Sequence, residues 1–418
     1  MLDINLIREE TERVKEGVRR KQISPSVVDE VLSYDIKWRA IVRELDELRS
    51  RQKKGSSQTL SPESRGELKK LKEEIKRFEE EERTLRAKRD EALQNVPNIP
   101  FDDVPEGKDD TENIIEREVG KRPSFDFEPR DYLTIAENLG LIDVKHTAQV
   151  AGSRFGYLLR DAALLEFALV KLTFDLAVKE GFTPVVPPVM ARPDVMRAMG
   201  KGKFLDEHDA FHIAEDDLYL VGSAEHTIGP LHMNEVLDAS TLPRRYVGFS
   251  TAFRRESGSY GRDTRGILRV HQFDKVELFS FTHPKRSEEE LLFLLSLEER
   301  LMQALKLPYR VVLKCTGDMT WGDARQYDIE TWLPSEGRYR ETHSASNLTD
   351  FQSRGIRAEF REGGERGFVH TLNATGLAIQ RTLIMIIENY QTKEGNVKVP
   401  KVLQKYMGKK IIGDNKKR

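Results

Sequence analysis

Apolar residues in the first hundred positions recur in alternating steps of four and three. Tyr34, Trp38, Ile41, Leu45 and Leu48 form one such series, and Leu68, Leu71, Ile75, Phe78 and Leu85 form another, broken once by Glu82. That spacing draws a narrow apolar seam along a helix, the seam of a coiled coil. The polar stretch "KKGSSQTLSPESRG" between the two series reads as a turn. The pattern therefore predicts an antiparallel helical hairpin over about residues 31–94. Each helix would be roughly 35–40 Å long at about 1.5 Å per residue. A seam this narrow covers only the partner helix, so the hairpin is expected to project into solvent.

The period then changes. "NVPNIPFDDVPEGKDD", with Pro97, Pro100, Pro105 and Gly107, reads as a linker. It divides an N-terminal domain, 1–105, from a second domain, 106–418. "LLEFALVKLTFDLAVKEG" predicts an amphipathic helix ending at Gly181, and "FTPVVPPVM" an extended edge segment, because its prolines cannot donate to a central ladder. "YLVGSAE", "YVGFSTAFRRE", "LRVHQFDKVELFSF", "RVVLKCTG", "QYDIETWLP" and "YRETHSAS" follow as strands, most without a helix between them. The order predicts an α+β fold, an antiparallel sheet flanked by helices. A last helix, from Thr375 to about Tyr390, is apolar nearly all round and should be buried.

One predicted hairpin is too polar to be plain core. Residues two apart on a strand share a face. Arg254 and Glu256 should therefore point the same way, as should Phe273, Lys275 and Glu277 on the return strand, with Val276 and Leu278 turned to a core. A solvated face with cross-strand ion pairs would account for the charges. Arg, Glu and an aromatic ring together also suit phosphate, amine and flat-ring contacts.

Composition narrows the classes. Charged residues make up 33% of the 418, yet the formal net charge is only -2. Polyanion binding must then come from local patches. Arg49, Arg51, Lys53, Lys54, Lys69 and Lys70 lie along the predicted hairpin. They read first as a solvated surface with i,i+4 pairs; their place on an arm keeps a nucleic-acid footprint in play. A single cysteine, Cys315, excludes a disulfide framework and argues against a cysteine zinc site. The start "MLDINLIREE" lacks an apolar stretch behind a basic leader, and no apolar run approaches a membrane span. A soluble cytoplasmic protein is expected. No "GxxxxGK[ST]" loop occurs, which argues against a P-loop ATPase.

"FRRESGSYGRDTRGILRVHQFDKVE" resembles the second signature motif of the seryl-tRNA synthetases. "GFTPVVPPVM" is similar to the first, dimer-forming motif of their class, and "GLAIQRTLIMIIENYQ" to the third. "CTGDM" followed by "YDIETWLPSEGRYRETHSASNLTDFQSR" matches the segment between them, and the hairpin matches the family's tRNA-binding arm. The resemblance covers nearly the whole chain, in order.

It implies ATP and Mg2+, L-serine, tRNA(Ser) bound through the hairpin, with tRNA(Sec) a candidate second acceptor, and a homodimer formed around Pro187–Pro188. Serine would be activated to seryl-adenylate and passed to the terminal ribose of tRNA. By the same resemblance Arg254 holds the α-phosphate and the serine carboxylate. Arg255 and Glu256 belong to the ATP site, and Glu256 meets adenine. Phe273 covers one face of the adenine ring and Arg381 the other, reaching the γ-phosphate. Ser223, Ala224 and Glu225, in "GSAEH", grip the amino group. Glu277 helps bind serine, and Thr375 bonds its hydroxyl. Glu341, Thr342, His343 and Ser344 line the ATP site, with Glu341 and Ser344 on the metal.

Three departures stand out. Ser223 replaces a Thr, His226 stands where an aliphatic residue is common, and "THSAS" replaces a segment rich in serine and cysteine. Both histidines read as packing or surface variants. Thr375 would also be placed to cap the last helix, with Arg381 in its second turn. Two other functions would leave different marks. A ligase loading a non-tRNA carrier predicts a missing arm. A catalytically inactive RNA-binding paralogue predicts loss of Arg254, Arg381 or Glu341. Arm and residues are all present.

Overall fold

The computed structural model describes residues 1–56, 62–257, 263 and 265–413. The chain forms two compact units, Met1–Ile99 and Pro100–Arg418, and the division falls inside the proline-rich linker.

Among its described residues the first unit contains four helices, α1 (Ile4–Glu9), α2 (Thr11–Arg20), α3 (Ser26–Ser56) and α4 (Pro62–Gln94). The two short ones were not legible as a pattern. They bury Ile7, Val14 and Val18, and α3 buries Val28 and Val31. Further along, Leu45, Leu48 and Ile75 are buried, with Ile41, Leu71 and Phe78 packed against them. Glu82, the break in the apolar series, accepts a hydrogen bond from the Trp38 indole at 2.8 Å. The seam thus holds one amphipathic ring and one carboxylate that satisfies it. The centre of the predicted turn, 57–61, lies outside the described residues.

The second unit is built on an eight-stranded sheet. Its strands are β1 (Ile114–Val119), β2 (Thr183–Val185), β3 (Arg244–Phe253), β4 (Gln272–Thr282), β5 (Tyr309–Leu313), β6 (Arg325–Leu333), β7 (Arg338–Asn347) and β8 (His370–Ala378), in the spatial order β1-β5-β6-β7-β8-β4-β3-β2. All neighbours are antiparallel except β2, which pairs parallel to β3 at the sheet edge. The edge position suits a strand containing Pro184.

Helices α5 (Asp161–Lys179), α6 (Ser287–Leu305) and α7 (Ile379–Asn389) pack on the sheet. Their buried residues join Val276, Leu278, Ala345, Ala374 and Leu377 in the main core. On the opposite face a smaller cluster around Phe279, Phe281, Ile228, Ile356 and Phe360 covers only part of the sheet.

Three local expectations are corrected. β3 ends at Phe253: the Arg255 N–H turns to the Asp209 carbonyl at 2.7 Å, and Glu256 adopts a positive φ of 55°. Arg254 and Glu256 therefore stand past the strand, not on its face. The last helix begins at Ile379, so Thr375 belongs to β8 and caps nothing. Arg381 consequently lies in the first turn of α7, not the second.

Two β-bulges interrupt the sheet at its centre. Opposite β6, Ile329 pairs with His343 and Glu330 with Glu341, which leaves Thr342 extra. Opposite β4, Val276 pairs with Leu377 and Glu277 with Thr375, which leaves Gly376 extra. A Cβ at Gly376 would come within 3.0 Å of Thr173 Cγ2 and 3.1 Å of Val276 Cγ1, so a side chain there would press on both neighbours. Each extra residue shifts the alternation of side chains by one position.

Candidate active site

A cavity of about 430 Å³ opens where the smaller cluster leaves the sheet uncovered. Its floor is the sheet face bearing Phe273 and Lys275 from β4, Asn373 and Thr375 from β8, and Glu341, Ser344 and Ser346 from β7. Glu341 and Ser344 are three apart and would face opposite sides of a regular strand. The bulge at Thr342 brings both into the cavity. The Gly376 bulge does the same for Thr375 and Ala378.

Cations gather at one side. Arg254 donates through Nε to the Gly222 carbonyl at 3.1 Å, and its guanidinium lies 5.3 Å from the Phe273 ring centroid. Arg381 donates to the Glu341 carbonyl at 2.9 Å and stands 3.3 Å from its Oε1. Partial desolvation opposes the charge on Glu341, whose side chain is still 49% exposed, but Arg381, Lys314 and Arg254 outweigh it and hold the carboxylate below its ordinary pKa. Lys314 is buried beside Asp318 at 2.9 Å and Asp328 at 3.3 Å. Burial disfavours its charge, yet Asp328, Asp318 and Glu341 raise its pKa above the ordinary lysine value.

A second group is small and polar. Burial works against the charge of Glu225, but Lys201, 2.8 Å away, His226 and the Gln352 amide at 2.7 Å bring its pKa down to about 2. The Ser223 hydroxyl donates to Glu277 at 2.9 Å. Glu277 is 2.6 Å from Lys275 and only 1% exposed. Burial raises its pKa, against the pull of Lys275. The Thr375 hydroxyl lies 3.4 Å from that of Ser344. A third, flatter region is lined by Phe273, Ile267, Leu268 and Val270, with Glu256 ion-paired to Arg269 at 2.7 Å.

Of the residues expected at the site, Ser223, Glu225, Arg254, Glu256, Phe273, Glu341, Thr342, Ser344, Thr375 and Arg381 line this cavity. Ala224, Arg255, Glu277 and His343 do not. Arg255 turns outward to the Ala210 carbonyl and the Phe211 ring. Glu277 sits on the cavity side of β4 but beneath Ser223 and Lys275. His343 is buried on the helical side of the sheet. His226 lines the wall as a neutral ring. Burial first, then Lys201, lowers its pKa to about 3; it accepts from the Gly222 N–H at 3.3 Å and packs edge-on to Phe204.

Lys275, Lys201, Lys314 and Asn373 also line the cavity, beyond the residues expected from the sequence. Lys275 had a signal, since it alternates with Phe273 and Glu277. Nothing in its neighbourhood marks Lys314.

Among the described residues, no group of three or more His, Cys, Asp or Glu could hold a metal by itself. Glu341 and Ser344 offer two hard oxygen donors on one face. That suits Mg2+, which commonly takes one or two protein ligands and completes its shell with waters and phosphate oxygens.

Residues 1–100 match the family model of the seryl-tRNA synthetase N-terminal domain, and residues 210–390 match the class II tRNA synthetase core domain (G, H, P, S and T). Serine–tRNA ligases from Acidothermus cellulolyticus and Thermobifida fusca are each 44% identical, with 99% of both chains covered. The seryl-tRNA synthetase of Pyrococcus horikoshii, solved with ATP, superposes with a TM-score of 0.92 at 38% identity, covering 99% of each chain. The cytoplasmic serine–tRNA ligase of Naegleria fowleri, solved with AMP, gives 0.87 at 35% identity, covering 99% of this chain and 98% of that one.

Proposed function

The chain belongs to the seryl-tRNA synthetase family, ATP-dependent serine–tRNA ligases, and from that premise we propose how its residues divide the reaction. The serine carboxylate attacks the α-phosphorus of ATP; the bond to the β-phosphate oxygen breaks, giving seryl-adenylate and pyrophosphate. A hydroxyl of the terminal ribose of tRNA(Ser) then takes the seryl group and AMP leaves; tRNA(Sec) is a candidate second acceptor. The observation that carries this assignment is the gathering of Arg254, Arg381, Glu341 and Phe273 in one cavity with Ser223, Glu225 and Thr375.

Adenine lies on Phe273, among Ile267, Leu268 and Val270, with Glu256 at its edge. Arg254 meets the α-phosphate and the serine carboxylate, and Arg381 the distal phosphates. Activation of this kind needs no protein nucleophile; the contribution is positioning and charge neutralisation. Magnesium, when bound, neutralises phosphate charge and holds the phosphates in place. Glu341 and Ser344 would hold it. Glu225 takes the serine ammonium alongside Lys201, and Thr375 bonds the serine hydroxyl. A site that hydrogen-bonds a substrate hydroxyl rejects analogues lacking it by about four to five decades. Glu277 acts from below by fixing Ser223.

We place tRNA on the α3–α4 hairpin, whose Lys and Arg side chains are mostly exposed. For the homodimer we propose the face of α5 and β2 around Pro187–Pro188, where Leu164 is 53%, Phe167 65% and Val186 88% exposed. Apolar residues this exposed on adjoining elements suit burial by a second copy. The enzyme would act in the cytoplasm; among the described residues no helix is long and apolar enough to cross a membrane.

The test is serine-dependent exchange of labelled pyrophosphate into ATP. Exchange that requires both serine and Mg2+, and that Arg254→Ala abolishes without changing the melting profile, supports the assignment. Undiminished exchange in Arg254→Ala refutes it.

A further inference from the structure

The ladder between β7 and β8 is short. It joins Ala345 to Ala374, Ser346 to Asn373 and Asn347 to Leu372, and then the strands part. The parting falls at Thr375 and at the Gly376 bulge, directly under the proposed serine site. Two side chains enter it from the helical side. Glu298 of α6 is 0% exposed, and the Thr375 N–H is directed at its carboxyl. His343 of β7 is 1% exposed; its ring faces the backbone of Gly376, and its Nδ1 lies 2.9 Å from the Thr342 hydroxyl.

Neither carboxylate oxygen of Glu298, nor Nε2 of His343, closes a hydrogen bond of normal length and angle among the described residues. Buried polar groups are costly unless they serve as partners for something. Here the groups they face belong to Thr375 and Gly376, just past the last residue pair that joins β8 to β7. Burial raises the pKa of Glu298 well above its ordinary value, helped by Asp328, which favours the protonated carboxyl.

We propose that Glu298 and His343 are positioning residues for serine recognition: wedged under the parting of β7 and β8, they hold the backbone on either side of the Gly376 bulge and so aim the Thr375 hydroxyl into the cavity. This deepens the reading of Thr375 as the residue that bonds the serine hydroxyl, and rests on it. Neither residue touches substrate. A wedge that served only stability would affect serine and ATP alike, or neither. A wedge that aims Thr375 affects serine alone.

The experiment measures KM for serine and for ATP in pyrophosphate exchange, with melting profiles, on the full-length enzyme. Thr375→Ala serves as reference. Glu298→Leu is expected to raise the serine KM about ten-fold, with the ATP KM within about two-fold. Glu298→Gln should stay within about three-fold for serine, because a neutral amide can still accept from the Thr375 N–H. Adding Thr375→Ala to Glu298→Leu should cost no more than Thr375→Ala alone, since the two act through one hydroxyl. Should Glu298→Leu fail to fold, His343→Ser carries the same expectation of a ten-fold, serine-only effect.

The inference is overturned if Thr375→Ala raises the serine KM while Glu298→Leu or its replacement does not. It is equally overturned if both KM values rise together, or if Glu298→Gln is as impaired as Glu298→Leu. A Thr375→Ala enzyme with an unchanged serine KM instead sinks the assignment of Thr375, and this inference with it.

Discussion

The Ser223 hydroxyl donates to a Glu277 carboxylate oxygen across 2.9 Å, joining a wall of the cavity to the central strand beneath it. The carboxylate also holds Lys275 at 2.6 Å. Ser223 therefore directs its proton inward, and under the proposed assignment Glu277 shapes the serine pocket without lining the cavity. Ser223→Ala removes a hydrogen bond to a buried charged group, an interaction worth about 1.5–3 kcal/mol. The expected result is a serine KM raised ten-fold or more with the ATP KM unchanged, and recovery in Ser223→Thr, which keeps the hydroxyl. Equal changes in both constants would place Ser223 outside the serine pocket.

Arg381 is tied to Glu341 twice, through the backbone carbonyl at 2.9 Å and the carboxylate at 3.3 Å. The side chains are 29% and 49% exposed, so the pair contributes little to stability. Glu341→Gln should shift the Mg2+ concentration for half-maximal exchange upward by about ten-fold, because a neutral amide is a weaker ligand for a hard cation. Arg381→Ala should lower exchange about a hundred-fold or more with a melting profile like the parent's. A Mg2+ requirement that does not move in Glu341→Gln would rule it out as a metal ligand.

The alternation of Phe273, Lys275 and Glu277 against Val276 and Leu278 was readable, because β4 has no bulge of its own and its two faces see such different surroundings. The pairing of Glu341 with Ser344 on one face was not. Three residues apart on a strand means opposite faces, and only an extra residue in the ladder, invisible to a pattern of period two, reverses that. The same device misplaced Thr375: the apolar run continuing from β8 into α7 gave no sign that a bulged strand ends at Ala378 before the helix begins. Glu82 shows the converse. It looked like a flaw in a helical seam until Trp38 was found to need an acceptor.

Glu166 of α5 should make stability pH-dependent. Burial first, then the neighbouring Asp274, pushes its carboxyl up to about 7. An unfolded glutamate titrates near 4.3. Between those values the native state keeps a proton that the unfolded chain releases, so stability falls as pH rises from about 4.5 to 7 and then levels off. Glu166→Gln removes this loss. It should be indistinguishable from the parent near pH 4.5 and more stable at pH 8, by about 1 kcal/mol once partial exposure is allowed for. Urea midpoints at the two pH values check this, and a difference of equal size at both would show that titration is not the cause.

The hairpin offers a test that separates the two halves of the reaction. At its base Arg8 bonds Asp35 at 2.6 Å, and Arg89 lies 3.8 Å from the same carboxylate and 4.3 Å from the Trp38 ring centroid. Trp38 in turn donates to Glu82. This polar cluster ties α1, α3 and α4 together, so the hairpin can be shortened above it. Replacing residues 41–78 with a short Gly-Ser turn removes the buried Leu45, Leu48 and Ile75 together with the surface they support, and leaves no half of the seam exposed. Serine-dependent exchange should persist within about two-fold, because every residue lining the cavity belongs to the second unit. Charging of tRNA(Ser) should fall a hundred-fold or more. In the full-length enzyme charging should also weaken steeply with salt, as expected where Lys and Arg side chains displace counterions from phosphates. Charging that survives the shortening would move the tRNA contact off the hairpin, and its basic surface would then be a solvated face and nothing more.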